Sequence, residues 1–247
     1  VQGNAVNAQA KGNITTQMAV SGKNGISLST AGNLITNGTI TSSATVSMVA
    51  AQSLIVNNNV KGKLVDINST DGDITVCGAV TATGNAEIKA SSGDISLAGD
   101  ANGKGTIQGN NVVVEARGDI TAQMAVNART GDVHVESHYG NINLTGLVSA
   151  KTSVYPWAWE GSVAVNNLSS GFYLSVMGKE NVTINGTLKS GWVRVASDEG
   201  DLLLKGAVTV SGDIDLAAGG DITAMAALSA SKGGVYLDSK GNDPTKA

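Results

Sequence analysis

Gly72-Asp73-Ile74-Thr75-Val76, followed by Gly78-Ala79-Val80, carries the pattern of the whole chain. A turn dipeptide precedes an apolar residue. A second apolar residue stands two places on, and a third stands six places after the first. Alternation at period two marks a strand with one buried face. Working outward in both directions, the same step recurs at Gly12-Asn13-Ile14, Gly32-Asn33-Leu34, Gln52-Ser53-Leu54, Gly93-Asp94-Ile95 and Gly118-Asp119-Ile120. It continues at Gly140-Asn141-Ile142, Gly161-Ser162-Val163, Glu180-Asn181-Val182, Gly200-Asp201-Leu202 and Gly220-Asp221-Ile222. These eleven apolar anchors are spaced by 19 to 22 residues, with one interval of 25 between Ile95 and Ile120.

The third apolar position is filled by Val20, Ile40, Val60, Val80, Val126, Val148, Leu188, Val208 and Leu228. A second alternating pair precedes the next turn, as in Ile26-x-Leu28, Val112-x-Val114, Val133-x-Val135 and Val193-x-Val195. A unit of about 20 residues is too thin to bury its own apolar face, and stacked units share one interior. The unit has no room for a helix beside a strand of useful length. The expected fold is therefore all-β, a right-handed parallel β-helix of about eleven coils, because parallel crossovers take that hand. At ~4.8 Å per coil the rod would be roughly 50 Å long. The chain is read as a single β-helix domain over residues 1–247 that starts and stops inside the pattern, as a segment of a longer rod would.

Composition agrees. There are 32 Gly and 2 Pro, and aromatic residues make up only 3%. Val, Ile, Thr, Asn and Gly suit short strands and tight turns. The net charge is −4 and no run of Lys or Arg occurs. A clustered positive field is what phosphate binding needs, so nucleic acid is not an expected partner. No stretch is long and apolar enough for a membrane-spanning helix. No cofactor and no metal are expected. Cys77, the only cysteine, cannot form an internal disulfide. The Gly-Asp/Asn step reads as a turn in which Gly supplies a positive φ and Asn or Asp bonds its own turn. A calcium ladder is the rival for that column, and its Asn and Ser members weaken it.

The Gly-Asp-Ile units, together with Gly78-Ala-Val-Thr-Ala-Thr-Gly84-Asn and Gly200-Asp-Leu-Leu-Leu-Lys-Gly-Ala-Val-Thr-Val, resemble the repeat region of filamentous haemagglutinin-like exoproteins of Gram-negative bacteria. The resemblance covers essentially the whole chain. It implies two-partner secretion through an outer-membrane transporter, a secreted or cell-surface location, and a role in adhesion or as the stalk of a contact-dependent inhibition toxin. The Asn-Pro-type motifs of the secretion domain of such proteins are missing, since neither Pro156 nor Pro244 follows Asn.

Function is sought where a pattern departs from itself. Tyr155, Trp157, Trp159, Phe172, Tyr173 and Trp192 fall within three successive coils, inside an irregular aromatic-rich stretch spanning 151–195. Val154, Pro156, Leu174, Val176, Val193 and Val195 take the inward phase. Tyr155, Trp157, Tyr173 and Trp192 take the outward phase, and Phe172 is expected to face in. Tyr155, Tyr173 and Trp192 could then form a surface ladder. The candidate binding residues are Tyr155, Trp157, Trp159, Tyr173 and Trp192, with a cell-surface glycan or receptor as partner. The competing reading is that these rings cover an irregular stretch around Pro156, a residue that removes a ladder donor and marks a bulge or edge.

Asp132, His134, Glu136 and His138 alternate beside this patch. The two His lie ~13 Å apart along a strand, too far to share a metal, and a solvated polar face is the simpler reading. The long coil contains a Gly-rich stretch that reads as a protruding loop over residues 99–110. A polysaccharide-active enzyme would need clustered carboxylates on one outer face. Asp198, Glu199 and Asp201 are close in sequence but occupy a turn, so no catalytic residue is assigned and the chain is read as not an enzyme.

Overall fold

The computed structural model describes residues 1–100 and 105–240. Every anchor expected from sequence stands on a strand. Among the described residues the strands form three parallel sheets. Sheet A has 12 strands, from Gln2–Gly3 to Leu228–Ala230. Sheet B also has 12, from Val6–Ala10 to Val235–Ser239. Sheet C has 11, from Ile14–Thr16 to Ile222–Ala224. Each strand pairs with the one three places on in the chain, so one strand of each sheet makes one turn. The fold is an all-β parallel β-solenoid of about 12 turns, consistent with a right-handed β-helix. The expected number of coils was eleven. That is the strand count of sheet C alone, whose anchors are the sequence landmarks, and sheets A and B carry one strand more.

The register explains the periodic sequence. Leu34, Leu54 and Ile74 are direct Cα partners, and the column runs on through Ile95, Ile120 and Ile142. These residues are almost wholly excluded from solvent. In sheet B the inward column is Val112, Val133, Val154, Leu174, Val193 and Ile214. One continuous core results, and each rung is buried by the rungs on either side of it. Val6, Ile14, Ile222 and Leu228, on the first and last rungs, are only partly buried. Thr30, Ser69, Ser137 and Ser197 are buried where sheet B turns into sheet C. The hydroxyl of Ser137 donates to Gly118 O at 2.7 Å and accepts from Gly140 N at 3.0 Å, so the corner is dry but satisfied.

The Gly-Asp/Asn step works differently from the expectation. No residue at this step has a positive φ; among the described residues only Gly25, Gly99 and Gly105 do. The side-chain oxygen does not bond its own turn either. Asn33 N donates to Asn13 Oδ1 (2.8 Å), Asp94 N to Asp73 Oδ1 (2.9 Å), Asp119 N to Asp94 Oδ1 (2.8 Å) and Asp221 N to Asp201 Oδ1 (2.9 Å). Each carboxylate or amide therefore caps the turn of the following rung. Where Gly stands at the step it can have a steric reason, although Gln52 and Glu180 fill the same place on their rungs. A Cβ on Gly93 would stand 2.5 Å from both Asp73 Oδ1 and the Gly72 carbonyl. The stacking oxygen takes the space that a side chain would need.

The long coil is also more regular than expected. Thr106–Gly109 is a strand of sheet A, paired with Val80–Ala82 on one side and Ala125–Ala128 on the other. The loop expected over 99–110 therefore ends before Thr106, and residues 101–104 of it lie outside the described residues.

Candidate functional site

The outward face of sheet B collects nearly all the unusual chemistry of the chain. Its register sets the geometry. Ser153, Tyr173 and Trp192 share one column. His134 and Tyr155 share the next outward column, followed two residues further along by Glu115, Glu136, Trp157 and Met177. Inward residues between them, Val154, Leu174, Val176, Val193 and Val195, are buried as expected, and so is Pro156.

Tyr155, Trp157, Trp159 and Tyr173 form a connected surface belt. Ring centroids lie 5.4 Å apart for Tyr155–Trp157, 6.1 Å for Tyr155–Tyr173 and 6.1 Å for Trp157–Trp159. These tilted and edge-on arrangements are the favoured aromatic geometries. His134 joins the belt edge-on to Trp157 at 5.3 Å. The Trp157 indole donates to Ser175 Oγ at 3.3 Å. The ladder expected from Tyr155 through Tyr173 to Trp192 is diagonal rather than vertical. Tyr173 and Trp192 are direct partners, whereas Tyr155 stands over the column of Ser175 and reaches Tyr173 sideways.

Phe172 was expected to face inward; it is 66% exposed. The buried position at this corner belongs to Ser170, whose hydroxyl donates to Tyr173 O at 2.9 Å. Phe172 sits in the turn just ahead of the strand, outside the alternation that the inward count assumed. Pro156 marks neither a bulge nor an edge. It lies within the strand Ser153–Ala158 and keeps register with Val135. Pairing to the next strand skips Tyr155 and Pro156 and resumes at Trp157. The rings thus rest on regular rungs, with a local break in one ladder.

Trp192 is held apart from the belt. Its ring is 52% exposed and lies over Gly212 of the next rung, where any Cβ would overlap the indole. Phe172, Tyr173, Trp192, Arg194, Asp215 and Tyr236 line a groove of about 650 Å³. Arg194 Nε stands 3.8 Å from Asp215 Oδ2. A smaller hollow of about 200 Å³ lies on the same face, between Trp157, Trp159, Met177 and Asp198.

His134, on the strand Val133–Ser137, and His138, just past its end, show what the sequence did not. Theirs is not a merely solvated face; it belongs to a chain of polar contacts, anchored by the Lys89–Glu115 ion pair, that crosses three rungs. Lys89 Nζ donates to both oxygens of Glu115, at 2.8 and 2.9 Å. His138 Nε2 stands 3.3 Å from Glu115 Oε1 and 3.9 Å from Glu136 Oε1. Glu136 accepts from His134 Nε2 at 2.6 Å and from the Trp159 indole at 2.5 Å. Burial works against ionisation of both carboxyls. For Glu115 the hydrogen bonds from Lys89 and His138 outweigh it, and the pKa falls below its ordinary value. For Glu136 the bonds from His134 and Trp159 do the same. Both carboxyls are pushed the same way, so neither is prepared as a proton donor at neutral pH. Among the described residues no group of three His, Cys, Asp or Glu is arranged to hold a metal ion.

A family model described as Toastrack DUF4097 matches residues 87–246. The chain belongs to the Toastrack DUF4097 family. The Toastrack match takes in the aromatic belt, the Trp192 groove and the Glu115–Glu136 chain, and it agrees with a repeat β-solenoid scaffold. Searches of the curated proteins and of the solved structures gave no match.

Proposed function

We propose that this Toastrack chain is a structural shaft segment of a secreted or cell-surface exoprotein, and that it presents an adhesive face on a rigid rod. The observation that carries this reading is the division of labour in sheet B. Its inward columns are mainly aliphatic and build the rod, while Tyr155, Trp157, Tyr173 and Trp192 in its outward columns, with Trp159 just past a strand end, gather on one side. Exposed aromatic clusters of this kind mark contact surfaces. The resemblance of the Gly-Asp-Ile repeats to filamentous haemagglutinin-like exoproteins supports the same reading. It adds export by a two-partner route, through an outer-membrane transporter, to the surface of a Gram-negative cell. In this account the chain itself carries out no chemistry and needs no cofactor.

The test is made on intact bacteria that carry the gene. Antibodies raised against the purified chain should label whole cells, and deleting the coils that carry the belt should reduce adherence to host or bacterial cells. Labelling only after cell lysis would contradict the location. Full adherence after the deletion would contradict the function.

A further inference from the structure

The geometry points to the outward face of sheet B as a binding site for a neutral oligosaccharide, lying diagonally from the Trp192 groove to the Trp157–Trp159 hollow. The inference rests on the reading that the aromatic face is the working surface, and it names what that surface takes.

Three features select the ligand. The first is amphipathic lining. Trp192 and Tyr173 offer apolar ring surface, while Arg194, Asp213 and Asp215 stand beside them with hydrogen-bonding groups. Sites that combine aromatic walls with a few convergent polar groups are built for small, oriented ligands. A pyranose has the matching shape, with a C–H face to lie on a ring and a hydroxyl edge for carboxylates and a guanidinium. The second is charge. The groove holds one cation against two carboxylates, and the hollow adds Asp198. An acidic sugar or another polyanion would meet a net negative field. The third is backbone satisfaction. The strands that carry Tyr155, Trp157, Tyr173, Trp192 and Arg194 have hydrogen-bonded neighbours on both sides, so an extended peptide finds no free edge beside those rings, and of the groove only Tyr236 stands on the terminal strand Val235–Ser239.

The spacing argues for a chain of sugars over a single one. Trp157 lies four residues along the strand from the column shared by Ser153, Tyr173 and Trp192, about 13 Å. It is also displaced by two strand spacings, about 10 Å. The two hollows are thus roughly 16 Å apart on one surface. Gly212 is a positioning residue in this arrangement, because only Gly leaves room for the Trp192 indole to lie where it does.

The purified chain would be titrated calorimetrically with cellohexaose, maltohexaose, xylohexaose and N-acetylchitohexaose, with their monosaccharides, and with polygalacturonate. At least one neutral hexasaccharide should bind, and its monosaccharide should bind at least about tenfold more weakly. Trp192→Ala and Trp157→Ala should each lower the affinity about tenfold. Gly212→Ala keeps every ring and should weaken binding by displacing one of them. Circular dichroism confirms that each variant is folded, and Trp192, being exposed, can be removed without opening the core. Failure of all four hexasaccharides, tighter binding of polygalacturonate, or unchanged binding by folded Trp192→Ala would each overturn the inference. If cells adhere through the belt while the chain binds none of these sugars, the sugar assignment fails and the adhesive-shaft reading stands.

Discussion

Replacing Leu54 by Ala tests how the rod is held together. Leu54 is wholly buried, and its Cα partners Leu34 and Ile74 above and below are wholly buried too. The truncation removes apolar surface and leaves a cavity. Collapse into that cavity is hindered, because the backbone ladder fixes the flanking strands at ~4.8 Å spacing. The cost should therefore lie in the upper part of the range for buried Leu, about 3–5 kcal/mol. Leu228 is the matched control. Among the described residues it occupies the last strand of sheet A, pairs on one side only, with Val208, and is partly exposed. Leu228→Ala should cost about 1–2 kcal/mol, the transfer term for a half-buried side chain with little cavity. Urea titrations followed by far-ultraviolet circular dichroism measure both. Equal costs, or a greater cost at Leu228, would refute the account of stability as a sum of rung-to-rung contacts.

Three further outcomes are expected. Gly93→Ala should destabilise by about 1–3 kcal/mol, because its Cβ collides with the Asp73 carboxylate and the Gly72 carbonyl, whereas Gly12→Ala meets nothing within 4 Å and should be close to neutral; comparable thermal shifts for the two would remove the steric explanation of the turn. Thr36 is wholly buried and its hydroxyl has no hydrogen-bond partner, so Thr36→Val should stabilise by about 1 kcal/mol, read from the denaturation midpoint. Glu115 and Glu136 have folded pKa values below their ordinary ones, so their contribution is present above the unfolded carboxylate pKa of about 4.3 and is lost as pH falls through the lower folded values. The double variant Glu115→Gln/Glu136→Gln should be less stable than the parent by about 1 kcal/mol at neutral pH. The two proteins should converge as pH falls through the lowered folded values, and a gap that did not narrow on acidification would show that packing, not ionisation, is responsible.

Much of the fold was legible because stacking makes equivalent residues alike. All eleven anchors, from Ile14 to Ile222, fall in one column of sheet C. The third column was legible except at Ile107 and Leu168. The long coil hides Ile107, and Leu168 comes five places after its anchor rather than six. The outward phase of Tyr155, Trp157, Tyr173 and Trp192 followed from simple alternation. Phe172 did not, because alternation stops at the strand end and Phe172 stands one residue before it.

The Lys89–Glu115–His138–Glu136 chain was not legible for a different reason. Lys89 and Glu115 are 26 residues apart across the long coil, so a 20-residue period does not bring them together. Only the pairing of the strand Ala86–Ala90 with Val112–Ala116 does. The use of Asn and Asp oxygens to cap the next rung also lies beyond sequence pattern. A cap on its own turn and a cap on the next call for the same residues, and the choice between them is made by the stacking distance.

The most direct test of the account is binding of the purified chain to host and bacterial cells, beside a Tyr155→Ala/Tyr173→Ala/Trp192→Ala variant. The expected result is saturable binding by the parent that is lost in a variant with an unchanged circular dichroism spectrum. Binding that the variant retains, or a folded parent that binds no cell, would contradict the claim that the outward face of sheet B is the working surface of the rod.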